Sequence, residues 1–278
     1  MSVAVVCDTT SYVPAEQLGA LGVHQVSLYV GWGGDRQPER DYTDLEAFYA
    51  RLRESESLPQ TSQPSVGDFL AVYPPLVAAG HDIVSIHLAE GLSGTCQSAR
   101  EAARALDGGR VEVLDAETGA GGLGLVILAA ARAARDGADA DAVVAAAHEA
   151  RAQLQMWFCL DTLEFLRKGG RIGAARALLG SALQVKPILT FGTEIAPVGR
   201  VRTRKRAFER MVAYLHELRE AGTTEWVVQH AQSRDDAQRL AEQGTEILGG
   251  PPVFCTQVGP VLGAHLGSGM LIGGLVTR

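Results

Sequence analysis

The strand-to-helix transition that indicates the fold reads Leu92-Ser93-Gly94-Thr95-Cys96-Gln97-Ser98-Ala99. An apolar run over residues 83–87 precedes it and is typical of a short buried strand. Apolar residues recur at helical spacing after it, so Ser93 is predicted as the N-cap, with Thr95 in the first turn. A helix N-terminus has free N–H groups and a partial positive charge, which suit an anion. The segment therefore predicts an α/β protein with an anion site at this turn.

Strand-like runs alternate with helical patterns along the whole chain. The predicted strands cover residues 3–7, 24–30, 83–87, 111–114, 156–160, 195–198, 226–230, 253–258 and 271–276. The longest predicted helices cover residues 123–135, 142–154 and 204–220. This alternation is typical of parallel sheets with helices on their faces. We predict two α/β domains with mainly parallel sheets, residues 1–155 and 156–278, divided where the alanine-rich helices end.

The composition argues against several classes of protein. The chain has 278 residues and a formal net charge of −7, whereas general nucleic-acid binding requires a basic surface. Its four cysteines are far apart and form no Cys-x-x-Cys pair, so neither a disulfide framework nor a zinc site is expected. The N-terminus lacks a basic signal region, and the most apolar helical segment is shorter than the roughly 20 residues that span a bilayer. These features predict a soluble cytoplasmic protein.

Two patterns leave enzymatic alternatives open. Residues 119–124 match Gly-x-Gly-x-x-Gly between a strand and a helix, as in an NAD-linked oxidoreductase. Asp115 and Glu117 precede these glycines and would face a pyrophosphate, so nucleotide binding is disfavoured. Ser93 lies one residue out of register for a Gly-x-Ser-x-Gly elbow, which leaves a serine hydrolase using Ser93 and His265 as the other alternative. No metal-ligand or P-loop motif occurs in the sequence, so we expect no metal and no cofactor.

The remaining candidates combine hydroxyl groups, glycines and cations. Thr61 and Ser62 lie in a polar loop bracketed by prolines, and His265 lies in the glycine-rich loop of residues 263–269. Arg171 follows two glycines, where the chain can approach a ligand closely, and is a candidate for binding an anion. One basic cluster, which could bind an acidic partner, consists of Arg200, Arg202, Arg204, Lys205, Arg206 and Arg210.

In order and spacing, five segments of this chain resemble those of the DegV family, the fatty-acid-binding subunits of bacterial fatty acid kinase. The segments are Asp8-Thr9-Thr10, residues 61–65, residues 93–99, residues 163–172 and residues 263–269. The resemblance runs over essentially the whole chain. It implies two α/β domains, with an acyl chain in a tunnel and its carboxylate near the domain junction. It also implies a non-catalytic carrier that presents a long-chain fatty acid to a separate cytoplasmic kinase, with transient contact to a membrane.

The resemblance also implies roles for individual residues. Those implied to bind the carboxylate are Thr61, Ser62, Ser93, Thr95, Arg171 and His265. Arg202 is implied to lie near the acyl phosphate and the kinase surface. The chain departs from the family pattern at Cys96, where tyrosine is usual, and within residues 263–270, where Ala264, Leu266, Ser268 and Met270 replace the expected Thr, Thr, Pro and Ala. Because the head-group residues are kept, we expect an intact anion site in a pocket of altered shape.

Overall fold

The computed structural model describes residues 2–179 and 185–276 and has mixed α/β architecture, as the sequence predicts. The strands are β1 Val3–Asp8, β2 His24–Val26, β3 Tyr29–Trp32, β4 Asp35–Pro38, β5 Gln60–Ser62, β6 Asp82–His87, β7 Val111–Asp115, β8 Leu154–Leu160, β9 Lys186–Phe191, β10 Ile195–Val201, β11 Thr223–Ala231, β12 Cys255–Gln257 and β13 Gly269–Val276. The helices are α1 Ala15–Ala20, α2 Leu45–Glu54, α3 Val66–Leu70, α4 Tyr73–Ala78, α5 Thr95–Arg104, α6 Ala120–Arg135, α7 Ala140–Gln153, α8 Glu164–Lys168, α9 Arg204–Glu220, α10 Arg234–Leu248 and α11 Pro260–Leu266.

The first sheet is parallel and has the strand order β2-β1-β6-β7. Strands β1 and β6 are buried along almost their whole length, as expected for a parallel sheet covered on both faces. Because Cys7 pairs with Ile86, the carboxyl ends of the two strands lie side by side. The turn that carries Ser93 follows β6 and therefore lies beyond this edge of the sheet.

The second sheet has the order β10-β9-β8-β13-β11-β12, and only β11 and β12 pair in parallel. The prediction of mainly parallel sheets is therefore right for the first sheet and wrong for the second. Strands β9 and β10 pair antiparallel because the connection between them is short, whereas parallel neighbours need a crossover of a dozen residues or more. Strand β9 is not among the predicted strands, and it forms a hairpin with β10.

A third, small antiparallel sheet has the order β4-β3-β5. The strand predicted over residues 24–30 is divided between β2 of the first sheet and β3 of this one. The polar loop predicted around Thr61 and Ser62 is in fact strand β5, in which Val30 pairs with Thr61 and Tyr29 with Ser62. Pairing with β3 thus gives these two hydroxyl-bearing residues a fixed backbone position.

Helix α6 contacts β1 of the first sheet and β11 and β13 of the second. Residues 119–124 are all buried, and their glycines allow close packing. An added Cβ at Gly121 would lie 2.7 Å from Val227, and one at Gly124 would lie 2.8 Å from Val13 and from Phe254. These glycines therefore serve helix packing and leave no open surface for a pyrophosphate. The two-domain architecture is confirmed by structural relatives described below, whereas the boundary at residue 155 stays a prediction.

Candidate functional site

A cavity of about 260 Å³ lies among residues from both predicted domains. Its polar lining residues are Thr61, Ser62, Gln63, Ser93, Arg171 and His265. Its apolar lining residues are Leu28, Leu88, Leu92, Leu166, Phe191, Ile195, Val261, Leu262 and Leu266. An apolar pocket with a few convergent polar groups is the usual form of a small-molecule site.

Three of the polar residues also line a depression on the protein surface. Thr61, Arg171 and His265 border both the cavity and this depression, which further includes Lys168. These three side chains therefore stand at the mouth of the cavity, between its apolar interior and the outside. A ligand with an apolar chain and an anionic end could place that end here.

His265 is held by Thr61 across the mouth. Thr61 Oγ1 and His265 Nε2 lie 2.8 Å apart, and His265 Nδ1 has no hydrogen-bond partner among the described residues. Burial and the nearby charge of Arg171 lower the pKa of His265 to about 4. The imidazole is therefore neutral at physiological pH, and it bonds as a neutral donor or acceptor. The glycine-rich loop predicted over residues 263–269 is for the most part the end of helix α11, with Gly267 following at a φ of +65°.

Arg171 supplies the positive charge of the mouth. Its Nη1 donates to the carbonyl oxygen of Gly169 at 2.8 Å, and its Nε donates to that of Leu92 at 3.4 Å. Gly170 before it has a φ of +71°, a backbone conformation that favours glycine. Within residues 2–179 and 185–276, no carboxylate forms an ion pair with Arg171, whose guanidinium carries five N–H donors. No hydrogen bond within those ranges uses its other N–H groups, which could bind a ligand anion.

Ser93 has a different role from the predicted one. Helix α5 begins at Thr95 with Gly94 as its N-cap, and no side chain caps the helix, so the predicted N-cap at Ser93 is wrong. The Ser93 hydroxyl instead shares a hydrogen bond of 2.9 Å with the Thr95 hydroxyl. Ser93 lines the cavity, whereas Thr95 is fully buried and does not. Direct contact of Thr95 with a ligand stays a prediction. In the structure, the Thr95 hydroxyl supports the side chain of Ser93.

Gln63 is a lining residue that sequence reasoning missed. Its Nε2 donates to Ser98 Oγ at 3.1 Å, and its side chain packs so closely on Gly94 that an added Cβ there would overlap it. The sequence does contain a signal for Gln63, which lies between Ser62 and Pro64 in the polar segment that carries the candidates Thr61 and Ser62. Cys96 is fully buried and does not line the cavity, so the departure from the family pattern that we expect at this position would affect the packing of α5.

Arg202 is not brought to the cavity. Strand β10 begins at Ile195, which lines the cavity, and Arg202 follows its last residue, so the two lie roughly 20 Å apart. In the basic cluster, Arg204 pairs with Asp236, Arg206 with Glu209 and Arg210 with Glu217, each at 2.7 or 2.8 Å. Arg200, Arg202 and Lys205 form no ion pair with the part of the chain that the structure describes.

The hydrolase alternative would require Ser93 to bond to a general base. In the described ranges, no hydrogen bond links Ser93 to a histidine. A Ser–His–Asp arrangement does exist elsewhere: Ser85 Oγ lies 2.7 Å from His87 Nε2, and His87 Nδ1 lies 3.2 Å from Asp8 Oδ2. All three residues are fully buried, so no substrate reaches them. We interpret this arrangement as an internal hydrogen-bond network of the first sheet.

The described residues contain neither a metal-binding cluster nor a membrane-spanning helix. There, no group of three or more His, Cys, Asp or Glu side chains could hold a metal ion. Over the same residues, no helix is long and apolar enough to cross a membrane. The four cysteines are free, and only Cys255 is exposed.

Fold and site together define a two-domain α/β protein with an apolar cavity that has polar residues at its mouth. The chain belongs to the DegV family, because the family model described as "Uncharacterised protein, DegV family" matches residues 2–276. It is similar to Protein DegV of Bacillus subtilis, at 33% identity over 274 residues and 98% of each chain.

Solved structures of the same family have the same fold. A DegV family protein from Thermus thermophilus, described in terms of fatty acid binding, has a TM-score of 0.88 at 31% identity over 100% of both chains. DegV of Bacillus subtilis, described as a fatty acid binding protein, has a TM-score of 0.88 at 30% identity over 99% of both chains. These similarities confirm the predicted family and α/β class.

Proposed function

We propose that this chain binds a long-chain fatty acid, with the acyl chain in the cavity and the carboxylate at its mouth. The observation that carries the proposal is the placement of Thr61, Arg171 and His265 between an apolar cavity and the surface. Ser62 and Ser93 line the same cavity and add two hydroxyl groups to the site. The fatty acid binding described for the relatives from Thermus thermophilus and Bacillus subtilis supports the same ligand class.

The energetics favour retention of such a ligand. Burying about 15 methylene groups at roughly 0.8 kcal/mol each supplies about 12 kcal/mol before the costs of association. A carboxylate that leaves water loses several kcal/mol of solvation. Hydrogen bonds to a charged group contribute about 1.5–3 kcal/mol each, and Arg171 supplies a charge that offsets the protein's net charge of −7.

We further propose that the protein is a non-catalytic carrier in the cytoplasm, which presents the carboxylate to a separate kinase subunit. Because Thr61, Arg171 and His265 also border a surface depression, the bound carboxylate would be accessible to a second protein. Lys168, which pairs with Glu164 at 2.6 Å, lies in that depression near the position where phosphate would be transferred. Arg202, on a distant part of the surface, would contact the kinase rather than the carboxylate. The same opening would permit exchange of the ligand during transient contact with a membrane.

Mass spectrometry of an organic extract tests the carrier function directly. We expect protein purified from bacteria to carry a fatty acid near one molecule per chain, and delipidated protein to bind added palmitic acid. Folded protein that carries no lipid and does not bind palmitic acid would contradict the proposal. Labelling with a fluorophosphonate separates the carrier from a serine hydrolase, because only an activated serine reacts.

A further inference from the structure

Glu39 is a buried carboxylate outside the cavity, and three donors distant in sequence bond to it. Its side chain accepts from Thr9 Oγ1 at 2.6 Å, from Tyr12 Oη at 2.8 Å and from the backbone N–H of Val261 at 2.7 Å. The residue is only 5% exposed. Within the described residues no lysine or arginine pairs with it. The carboxylate therefore joins the turn after β1 to the start of helix α11.

These bonds lead directly to the cavity wall. Thr9 Oγ1, which donates to Glu39, accepts from the N–H of Leu28 at 3.3 Å, and Glu39 N–H donates to the carbonyl of Leu28 at 2.8 Å. Tyr12 Oη, which also donates to Glu39, accepts from the N–H of Leu262 at 3.1 Å. Leu28, Val261 and Leu262 all line the cavity. The carboxylate thus bonds directly to the backbone of one lining residue, Val261, and is linked to Leu28 through Thr9 and to Leu262 through Tyr12.

The start of helix α11 needs such a partner. The first N–H groups of a helix have no acceptor within it, and α11 begins with Pro260. Glu39 and Tyr12 accept from the next two residues, Val261 and Leu262. Gly259 leaves room for this contact, because a Cβ there would lie 2.9 Å from Glu39 Oε1. The acceptors come from another segment of the chain, so the position of α11 depends on Glu39.

We propose that Glu39 is a positioning residue of the ligand cavity, whose carboxylate fixes Leu28 and the first turn of α11 relative to each other. The inference rests on the proposed fatty-acid binding. Helix α11 also carries His265 and Leu266, so a displacement of its first turn changes both the apolar wall and the mouth. Glu39 itself does not line the cavity and acts through these residues.

The charge of Glu39 provides a readout that a purely structural residue would lack. Burial raises its pKa to about 7, although the hydrogen bonds from Thr9, Val261 and Tyr12 oppose this rise. The titratable groups that face it are Asp8, Tyr12 and Tyr49. Burial would raise the pKa of Asp8, but His87, Thr10 and Leu88 together lower it, whereas burial beside Glu39 raises the pKa of both tyrosines. Between about pH 6 and pH 8, Glu39 is therefore the member of this cluster that changes charge.

Protonation removes an acceptor that the ionised carboxylate offers. A carboxylate accepts at both oxygens, whereas the protonated group has one hydroxyl that must itself donate. Although burial favours the uncharged form, its hydroxyl must turn toward an acceptor, so the three donors can no longer all bond to it as they do to the carboxylate. Fatty-acid binding should accordingly weaken as the pH falls through about 7. This change belongs to Glu39, because the ligand carboxylate and His265 both titrate at lower pH.

Binding of palmitic acid to delipidated protein from about pH 6 to pH 8 tests the proposal. We expect Glu39→Gln to weaken binding about tenfold at pH 8, because a bond to a charged group is lost, and to abolish the pH dependence seen in wild type. Tyr12→Phe should weaken binding severalfold. Tyr73→Phe is the matched control, because Tyr73 is a buried tyrosine that donates to Ser85 at 2.8 Å and does not line the cavity. It should bind as wild type does, even if its melting temperature falls.

The possible outcomes are distinct. If Glu39→Gln and Tyr12→Phe are folded and bind with the affinity and pH profile of wild type, Glu39 does not position the cavity. If Glu39→Gln fails to fold, Tyr12→Phe and the wild-type pH profile still decide the matter, since both depend on the same network. If wild type itself binds no fatty acid at any pH, the proposed function fails, and this inference fails with it.

Discussion

Thr61 Oγ1 and His265 Nε2 lie 2.8 Å apart and join residues separated by 204 positions in the sequence. Thr61 belongs to β5 and His265 to α11, so the bond connects the N-terminal and C-terminal parts of the chain at the mouth of the cavity. The bond uses Nε2 of the imidazole, and burial lowers the pKa of the ring so that it stays neutral. Arg171 is the one lysine or arginine among the described residues that line the cavity, so we expect a bound carboxylate to take its positive partner from Arg171.

Replacing Arg171 by alanine should weaken fatty-acid binding about 10- to 100-fold, more than Ser93→Ala does, because a hydrogen bond to a charged group is worth about 1.5–3 kcal/mol. His265→Ala should affect phosphoryl transfer more than binding. A fatty-acid methyl ester, which lacks the charge, should hardly distinguish wild type from Arg171→Ala. Titration with both ligands measures the difference.

Arg167→Ala is the matched control, since Arg167 is exposed on the preceding helix and does not line the cavity. It should bind both ligands as wild type does. If Arg171→Ala binds the free acid as tightly as Arg167→Ala, another residue holds the charge.

The free energy of unfolding should depend on His265 at acidic pH. Its pKa rises from about 4 in the folded protein to its ordinary value of 6.5 on unfolding, so the unfolded state binds more protons between these values. Its contribution of about 3 kcal/mol is complete above about pH 6.5 and is lost as the pH falls toward 4. In urea unfolding at several pH values, wild type should lose up to about 3 kcal/mol relative to His265→Gln as the pH falls from 6.5 toward 4. A constant difference would contradict the assigned pKa.

Glu39 should produce the opposite pH dependence of stability. Its pKa is raised from 4.5 to about 7 by burial, so the folded state binds more protons between these values, and stability falls by about 3 kcal/mol as the pH rises through them. In wild type the two effects overlap and largely cancel between about pH 4.5 and 6.5. We expect Glu39→Gln to remove the cancellation, so that its stability rises more steeply with pH than that of wild type. Parallel profiles of the two proteins would show that Glu39 keeps its ordinary pKa.

Two glycines near Ser93 should respond differently to alanine. A Cβ at Gly91 would overlap the backbone carbonyl of Thr193, whereas one at Gly94 would meet the end of the flexible Gln63 side chain. Gly91→Ala should therefore lower the free energy of unfolding by about 1–3 kcal/mol, and Gly94→Ala by less. Gly94→Ala should instead weaken ligand binding, because it displaces a lining residue. Equal losses of stability would mean that the hairpin bearing Thr193 can move away.

Reversing the charge of Arg202 tests the kinase contact. We expect Arg202→Glu to slow formation of acyl phosphate severalfold at low salt and to leave fatty-acid binding unchanged, because charges at the rim of an interface act mainly on association. Arg219→Glu is the control and should react as wild type does, since Arg219 is an exposed arginine in the last turn of α9, outside the basic cluster. If the two variants react at the same rate as wild type, the basic cluster is only a solvated surface.

The sequence by itself determined the features that depend on neighbouring residues. Apolar runs and helical spacing indicated the α/β class, and the two glycines before Arg171 indicated a turn, in which Gly170 has a positive φ. The five motifs identified the DegV family. These predictions succeeded because hydrophobic periodicity and turn chemistry are local properties of the chain.

Only the tertiary structure decided which distant residues meet. The hairpin of β9 and β10 makes the second sheet mainly antiparallel, and pairing with β3 turns the predicted loop at Thr61 into a strand. The bond from Thr61 to His265 and the bonds to Glu39 connect residues more than 25 positions apart. Glu39 carries no sequence motif, because its importance comes from burial and from donors on other segments. Strand register and side-chain burial arise from the packing of the whole chain, so no local pattern encodes them.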